Sequence, residues 1–223
     1  MTSGSKISAL VFAASLSLGL PILANASAPD ETGPDQTDAL IAAIGRQPPA
    51  RTAFAEARFM HVLDRPLLVS GELAWLGGDT LERKVDGAHP ETVTIAGGEV
   101  TQQREGRQPR HFSLKRAPQL QGLADSFVAL LGGNAAQLQQ VFAIQREGDA
   151  AGSWSLTLTP HDPKIAGTVA SIRIDGHGNE PRCMTMREAD GDVAIDLLGA
   201  ALAARMPAVP TPEALTALCR AAP

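Results

Sequence analysis

The sequence predicts an α+β fold in which a curled antiparallel sheet of about ten strands has its apolar face covered by short helices. Three observations carry this. From Arg51 to Lys115, apolar and polar residues alternate over successive short segments separated by Gly-rich turns, the pattern of an antiparallel meander. At Pro118 the period changes to that of a helix and holds to Leu131. From Phe142 to Leu197 the alternation returns. Helices therefore interrupt the strands and stand ready to cover the sheet.

The elements follow in order. Asp35 is a candidate cap for a helix with Leu40, Ile41 and Ile44 on one face, ended at Gly45. In the first strand Phe54, Glu56 and Arg58 alternate with Ala55, Ala57 and Phe59, and Asp64-Arg65-Pro66 turns the chain. Leu67, Val69, Gly71, Leu73 and Trp75 form the cleanest apolar face, closed by the turn Gly77-Gly78-Asp79. Leu81, Arg83 and Val85 share one side of the next strand, and Val93 and Ile95 one side of another. Gly97-Gly98 leads into a returning strand, Glu99 to Arg104. His111 to Lys115 is expected to be a strand with Phe112 and Leu114 on the same side.

Leu120, Leu123, Ala124, Phe127, Leu130 and Leu131 then make a wide helical stripe. Asn134 can cap a second helix through Leu138 and Val141. Strands resume at Phe142 to Arg146 and at Trp154, Leu156 and Leu158, and Asp162-Pro163 opens a helical turn. Ala170 to Ile174, Arg182 to Glu188 and Val193 to Leu197 are the last strands, the final pair joined at Asp190-Gly191. Thr211-Pro212-Glu213 opens a C-terminal helix.

The first 26 residues read as a signal peptide: Lys6, an apolar run from Ile7 to Leu23, then Ala24-Asn25-Ala26 as small residues for cleavage. The run is short and rich in Ser and Gly for a stable span, and an uncleaved membrane anchor is the alternative. The mature chain is expected to be one domain over residues 27–223, free in an extracytoplasmic compartment and without ready access to cytosolic cofactors. Lys6 is the only charge lost, so 18 Lys and Arg face 24 Asp and Glu, a net of −6. That disfavours nucleic acid as a partner. In such a compartment the pair Cys183 and Cys219 reads as one disulfide tying the tail to a late strand, with two free thiols as the alternative.

Catalytic motifs do not emerge. His61, His89, His111, His161 and His177 lack zinc-ligand spacing, so no metal site is expected. There is no G-x-S-x-G elbow, and Gly176-His177-Gly178 reads as a turn between strands rather than a dinucleotide loop. Asp162 and Asp175 are read as ordinary loop acids.

Several short motifs, in order and spacing, resemble the LolA-like family of lipoprotein carriers, and its divergent LolA-related branch most of all. They are Phe54-Ala55-Glu56, Pro66-Leu67 ahead of Ser70-Gly71-Glu72-Leu73, Asp79-Thr80-Leu81-Glu82 and Pro90-Glu91. The helical insertion after Pro118, the run Trp154 to Pro160, and Gly191-Asp192 complete the set. The resemblance implies an incomplete antiparallel β-barrel with a helical lid over an apolar cavity. It implies a non-enzymatic, cofactor-free monomer that shelters the acyl chains of a lipoprotein or lipid between an inner-membrane transporter and an outer-membrane acceptor. A scaffold module with a filled interior and a lipid-directed hydrolase are the alternatives. The expected cavity wall is Leu67, Val69, Leu73, Trp75, Leu81, Val93, Ile95 and Phe112, with Leu123, Phe127 and Leu130 on the lid. Lipoprotein-carrying members usually have an Arg-Pro pair where this chain has Gly77-Gly78; Arg83, on the face of Leu81 and Val85, is then a candidate for a headgroup or lid contact, with an ordinary edge or rim arginine as the alternative.

Overall fold

The computed structural model describes residues 34–221, so the signal-peptide expectation falls outside the described residues. Eleven strands form one antiparallel sheet: β1 Ala50–Phe59, β2 Leu67–Gly77, β3 Thr80–Val85, β4 Glu91–Ala96, β5 Glu99–Arg104, β6 Arg110–Ser113, β7 Phe142–Gly148, β8 Ser153–Pro160, β9 Val169–His177, β10 Glu180–Glu188 and β11 Val193–Leu198. Their spatial order is β6-β5-β4-β3-β2-β1-β11-β10-β9-β8-β7. The first and last strands are thus neighbours at the centre, and one wing runs outward from each. The sheet is open and curled, as expected, with β6 and β7 as its edges.

The helices are α1 Pro34–Ile44, α2 Pro118–Leu131, α3 Ala135–Gln139, α4 Pro163–Ala166, α5 Ala200–Ala203 and α6 Pro212–Arg220. Their starts follow the sequence chemistry. The Gln137 N–H donates to Asn134 Oδ1 at 3.0 Å, Lys164 N–H to Asp162 Oδ1 at 2.8 Å, and Ala214 N–H to Thr211 Oγ1 at 3.2 Å. Pro163 and Pro212 stand in first turns, where a missing N–H costs nothing. The short helix α5 has no counterpart in the sequence reading.

Two apolar clusters lie on opposite faces of the sheet. On the inner face, Leu40, Ile41 and Ile44 of α1 and Leu138 of α3 pack against Phe142, Trp154, Leu156, Leu158, Ile172 and Ile174 of β7–β9. Arg146 of β7 ties α1 in place by donating to Gln36 Oε1 at 2.9 Å, and the Arg46 N–H joins the end of α1 to Leu131 O at 2.7 Å. On the outer face, Ala57, Cys183, Ile195 and Leu197 lie under Leu202 of α5 and Leu215 and Cys219 of α6. Cys183 and Cys219 are disulfide-bonded, 36 residues apart. A bond of this kind accords with an oxidising compartment.

One expected element changes form. Leu114 was placed beside Phe112 in a strand, but a 3-10 turn takes over at Leu114–Arg116. The turn carries Leu114 into the interior at 4% exposure, while Phe112 stays on β6 at 48%. Leu120 of the α2 stripe is also outside, at 42%. The buried side of α2 is instead small: Ala124, Ser126 and Ala129. Small residues let the helix approach its neighbours closely.

Candidate functional site

The register of the sheet gathers the predicted wall residues onto one face. Successive pairings link Leu156, Ile174, Met184, Asp196, Glu56 and Val69 in a single row across six strands. Leu156 and Ile174 face the helices, so Val69 belongs to the same inner face. The neighbouring rows on β2–β6 follow from the same pairings. One is Trp75, Leu81, Ile95, Val100 and Phe112; the next is Leu73, Arg83, Val93, Gln102 and Arg110. Leu67 also lies on this face, opposite Arg58.

These residues do not surround one closed cavity, which corrects the expectation from sequence. Leu123, Phe127 and Leu130 line a void of ≈ 10 Å³ with Ser126, Leu138, Phe142, Leu158 and Ile172. That is space for about one water, so the region between α2 and β7–β9 is filled by the protein itself. The eight strand residues line the other wing. There Val69, Leu73, Trp75, Leu81, Val93 and Ile95 are half-buried, and Leu67 and Phe112 are about half exposed, at 50% and 48%. The inner face of β2–β6 is therefore an open apolar wall. Helix α2 meets this wing near its two ends, where Gln121 Oε1 approaches Gly98 and the Trp75 ring approaches Gly132.

Near the middle of the inner face lies a charged group that sequence reasoning missed. Glu56 and Asp196 are register partners and both are buried. Arg83 Nη2 donates to Glu56 Oε2 at 2.8 Å, reaching across the Phe54 ring with its guanidinium carbon 4.8 Å from the centroid. Arg58 Nε lies 3.4 Å from Glu56 Oε1, and its Nη1 lies 3.8 Å from Glu188. Burial pushes the Asp196 carboxyl up to about 7, helped by the negative charge of Glu56 and a hydrogen bond with it, against the pull of Arg83 and Arg58. The Asp196 carboxyl therefore keeps its proton to a higher pH than an exposed aspartate does, while Arg83 and Arg58 face Glu56. Arg83 is consequently a partner of Glu56 and not a loose rim arginine. The only sequence cue was Asp196, an acid in the otherwise apolar run Val193 to Leu198.

Gly77 and Gly78 explain the absent Arg-Pro pair. Both have positive φ, 112° and 56°, a turn closed to proline and unfavourable for arginine. Asp162 and Asp175 were expected to be loop acids; Asp162 is one, but Asp175 is buried within β9. Asp162 caps α4, while Asp175 accepts from Ser155 Oγ at 2.6 Å and from Arg173 Nε at 3.1 Å.

At the end of β1, His61 meets the β10–β11 hairpin. One donor atom each of His61, Asp190 and Asp192 lies within 4.8 Å of the others. Asp192 Oδ1 already accepts the His61 N–H at 2.9 Å and lies 2.7 Å from His61 Nδ1. The carboxylate raises the imidazole pKa, and bonding to His61 lowers that of Asp192. These contacts satisfy the cluster as a structural clasp.

The comparisons with known proteins bear on the fold and family. The description "Outer membrane lipoprotein carrier protein LolA-like" matches residues 28–222. No curated protein matches the chain. Among solved structures, a LolA superfamily protein, NE2245 from Nitrosomonas europaea, is 13% identical, with a TM-score of 0.40 over 74% of this chain and 90% of that one. MucB is 15% identical with a TM-score of 0.37, covering 80% of this chain and 61% of that one. The MucA/MucB complex of Pseudomonas aeruginosa gives 14% identity and a TM-score of 0.26, over 81% of this chain and 59% of that one. The family match spans nearly the whole sequence, and beneath it lies an open, curled antiparallel sheet with inserted helices: this chain belongs to the LolA-like family.

Proposed function

We propose that this protein is a non-enzymatic periplasmic carrier, exported by cleavage after residue 26, that shelters the acyl chains of a lipid or lipoprotein on the inner face of β2–β6. One observation carries the reading. A row of aliphatic and aromatic side chains, Trp75, Leu81, Ile95, Val100 and Phe112, runs unbroken across five strands without being fully buried by the protein's own core. Such a surface gains from covering, because each buried acyl methylene contributes about 0.8 kcal/mol before ordering costs. No directed polar contact is needed along the chain. The protein acts as a monomer, taking cargo from an inner-membrane transporter and passing it to an outer-membrane acceptor.

A second reading, a scaffold module without cargo, draws support from the filled space between α2 and β7–β9. Binding separates the two. Delipidated protein should bind a fluorescent fatty-acid probe saturably in the micromolar range. Ile95→Asp should weaken binding at least about tenfold, since a charge is introduced into the contact. Leu68→Asp, paired with Ala57 on the opposite face of β2, should leave it unchanged. Absent binding, or equal effects in variants with native circular dichroism, would favour the scaffold.

A further inference from the structure

Along the β5–β6 hairpin lies a recess of ≈ 510 Å³, open to solvent and lined by Gln102, Arg104, Arg107, Gln108 and Arg110. The chain as a whole carries a net charge of −5, so three arginines around one recess are a local departure. Only Arg104 is matched, its Nε 2.5 Å from Glu91 Oε2. Among the described residues, no carboxylate forms an ion pair with Arg107 or Arg110. The loop between them is held in shape by Gln103, whose side-chain amide donates to Arg104 O at 2.9 Å and Arg107 O at 3.0 Å.

The position of the recess is as informative as its charge. The Arg110 guanidinium carbon lies 5.8 Å from the Phe112 ring centroid, and Phe112 ends the apolar row. Arg110 itself ends the adjacent row, opposite Gln102. Cation and greasy surface therefore meet at one edge of the sheet. Four interstrand steps from Phe112 to Trp75 span about 19 Å. One leaflet of a bilayer, the length over which an acyl chain extends, is about 15 Å. The juxtaposition matches a molecule with an anionic end and a hydrocarbon body.

We propose that this recess is an anion site in which Arg107 and Arg110 hold the phosphate or carboxylate head of an amphiphile whose chain lies along the apolar row. The guanidinium groups supply paired N–H donors suited to either head, and Gln108 supplies a neutral donor beside them, while Gln102 bonds to Glu91 with Arg104. The chain's placement rests on the carrier reading above; the anion site itself does not.

The test uses the purified protein, a fluorescent fatty acid, its methyl ester, and inorganic phosphate. Wild type should bind the acid at least about tenfold tighter than the ester, with the preference shrinking as salt rises. R107Q/R110Q, which alters only exposed side chains and should melt as wild type does, should bring the acid down to the ester's affinity and leave the ester unchanged. Absence of preference in wild type, or a preference that survives in R107Q/R110Q, overturns the site as a headgroup anchor. If neither acyl probe binds wild type, the carrier reading fails by itself, and phosphate decides the rest. Saturable phosphate binding lost in R107Q/R110Q identifies a site for a free anion; no phosphate binding overturns the anion site altogether.

Discussion

The carboxyl pair at the middle of the sheet makes stability depend on pH in an unusual direction. Asp196 ordinarily titrates near 3.8 and here titrates near 7, because it is buried beside Glu56. The folded chain therefore binds this proton more tightly than the unfolded chain does, by about 4 kcal/mol at most. For a group raised in this way, the stabilisation is fully present below the unfolded pKa. It declines as pH rises through the interval and is gone above the folded one. The window is thus pH 3.8 to about 7, and wild type should lose about 2 kcal/mol of unfolding free energy between pH 5 and 7 from this source. Asp196→Asn keeps the size and a donor for Glu56 but cannot ionise, so that component should vanish. Urea unfolding of both proteins at pH 5, 6, 7 and 8 measures the difference. His61, whose pKa Asp192 raises, also loses its contribution as pH climbs above 6.5, but identically in both proteins. Asp192 and Glu91, held low by His61 and Arg104, act only as pH falls through the ordinary carboxylate range. Parallel pH profiles for wild type and Asp196→Asn, or a wild type that gains on the variant from pH 5 to 7, would refute the assignment of the proton to this pair.

Two further outcomes follow from the packing. Opening the Cys183–Cys219 bond, by Cys219→Ala, frees a 36-residue separation. It should cost about 4 kcal/mol in the chain-entropy account, lowering the melting temperature by about 8–16 °C, and an unchanged melting temperature would show that α6 is held by packing alone. Gly176 lies beneath Trp154, where an added Cβ would stand 2.1 Å from Cζ2 of the ring. Gly176→Ala should therefore destabilise by about 2 kcal/mol in chemical unfolding, and a neutral result would mean that the indole swings away freely.

Much of the sheet was legible because each strand announces itself locally. The alternation Leu67, Val69, Leu73, Trp75 needs only its own pleat to place it on one face, and Gly97-Gly98 or Asp190-Gly191 only its own turn. Caps at Asn134, Asp162 and Thr211 were equally local. What depended on distant chain was not legible. Glu56 and Asp196 lie in different strands that become neighbours only because the first and last strands pair, and nothing in either segment hints at the other. Leu114 left its strand because the chain must turn into α2, a demand made by the helix after it. Ala200–Ala203 has no periodic polarity to mark a helix. The division of the inner face into a filled half and an open half depends on where α1 and α2 come to rest.

The order of the strands has a mechanical consequence. The sheet's two free margins, β6 and β7, are consecutive in the chain, so the stretch between Ser113 and Phe142 bridges the mouth as a tether. Any guest that spreads the margins must draw slack from that stretch, either by uncoiling its helices or by sliding them aside. The packing of those helices against β7–β9 therefore resists the gaping of the mouth.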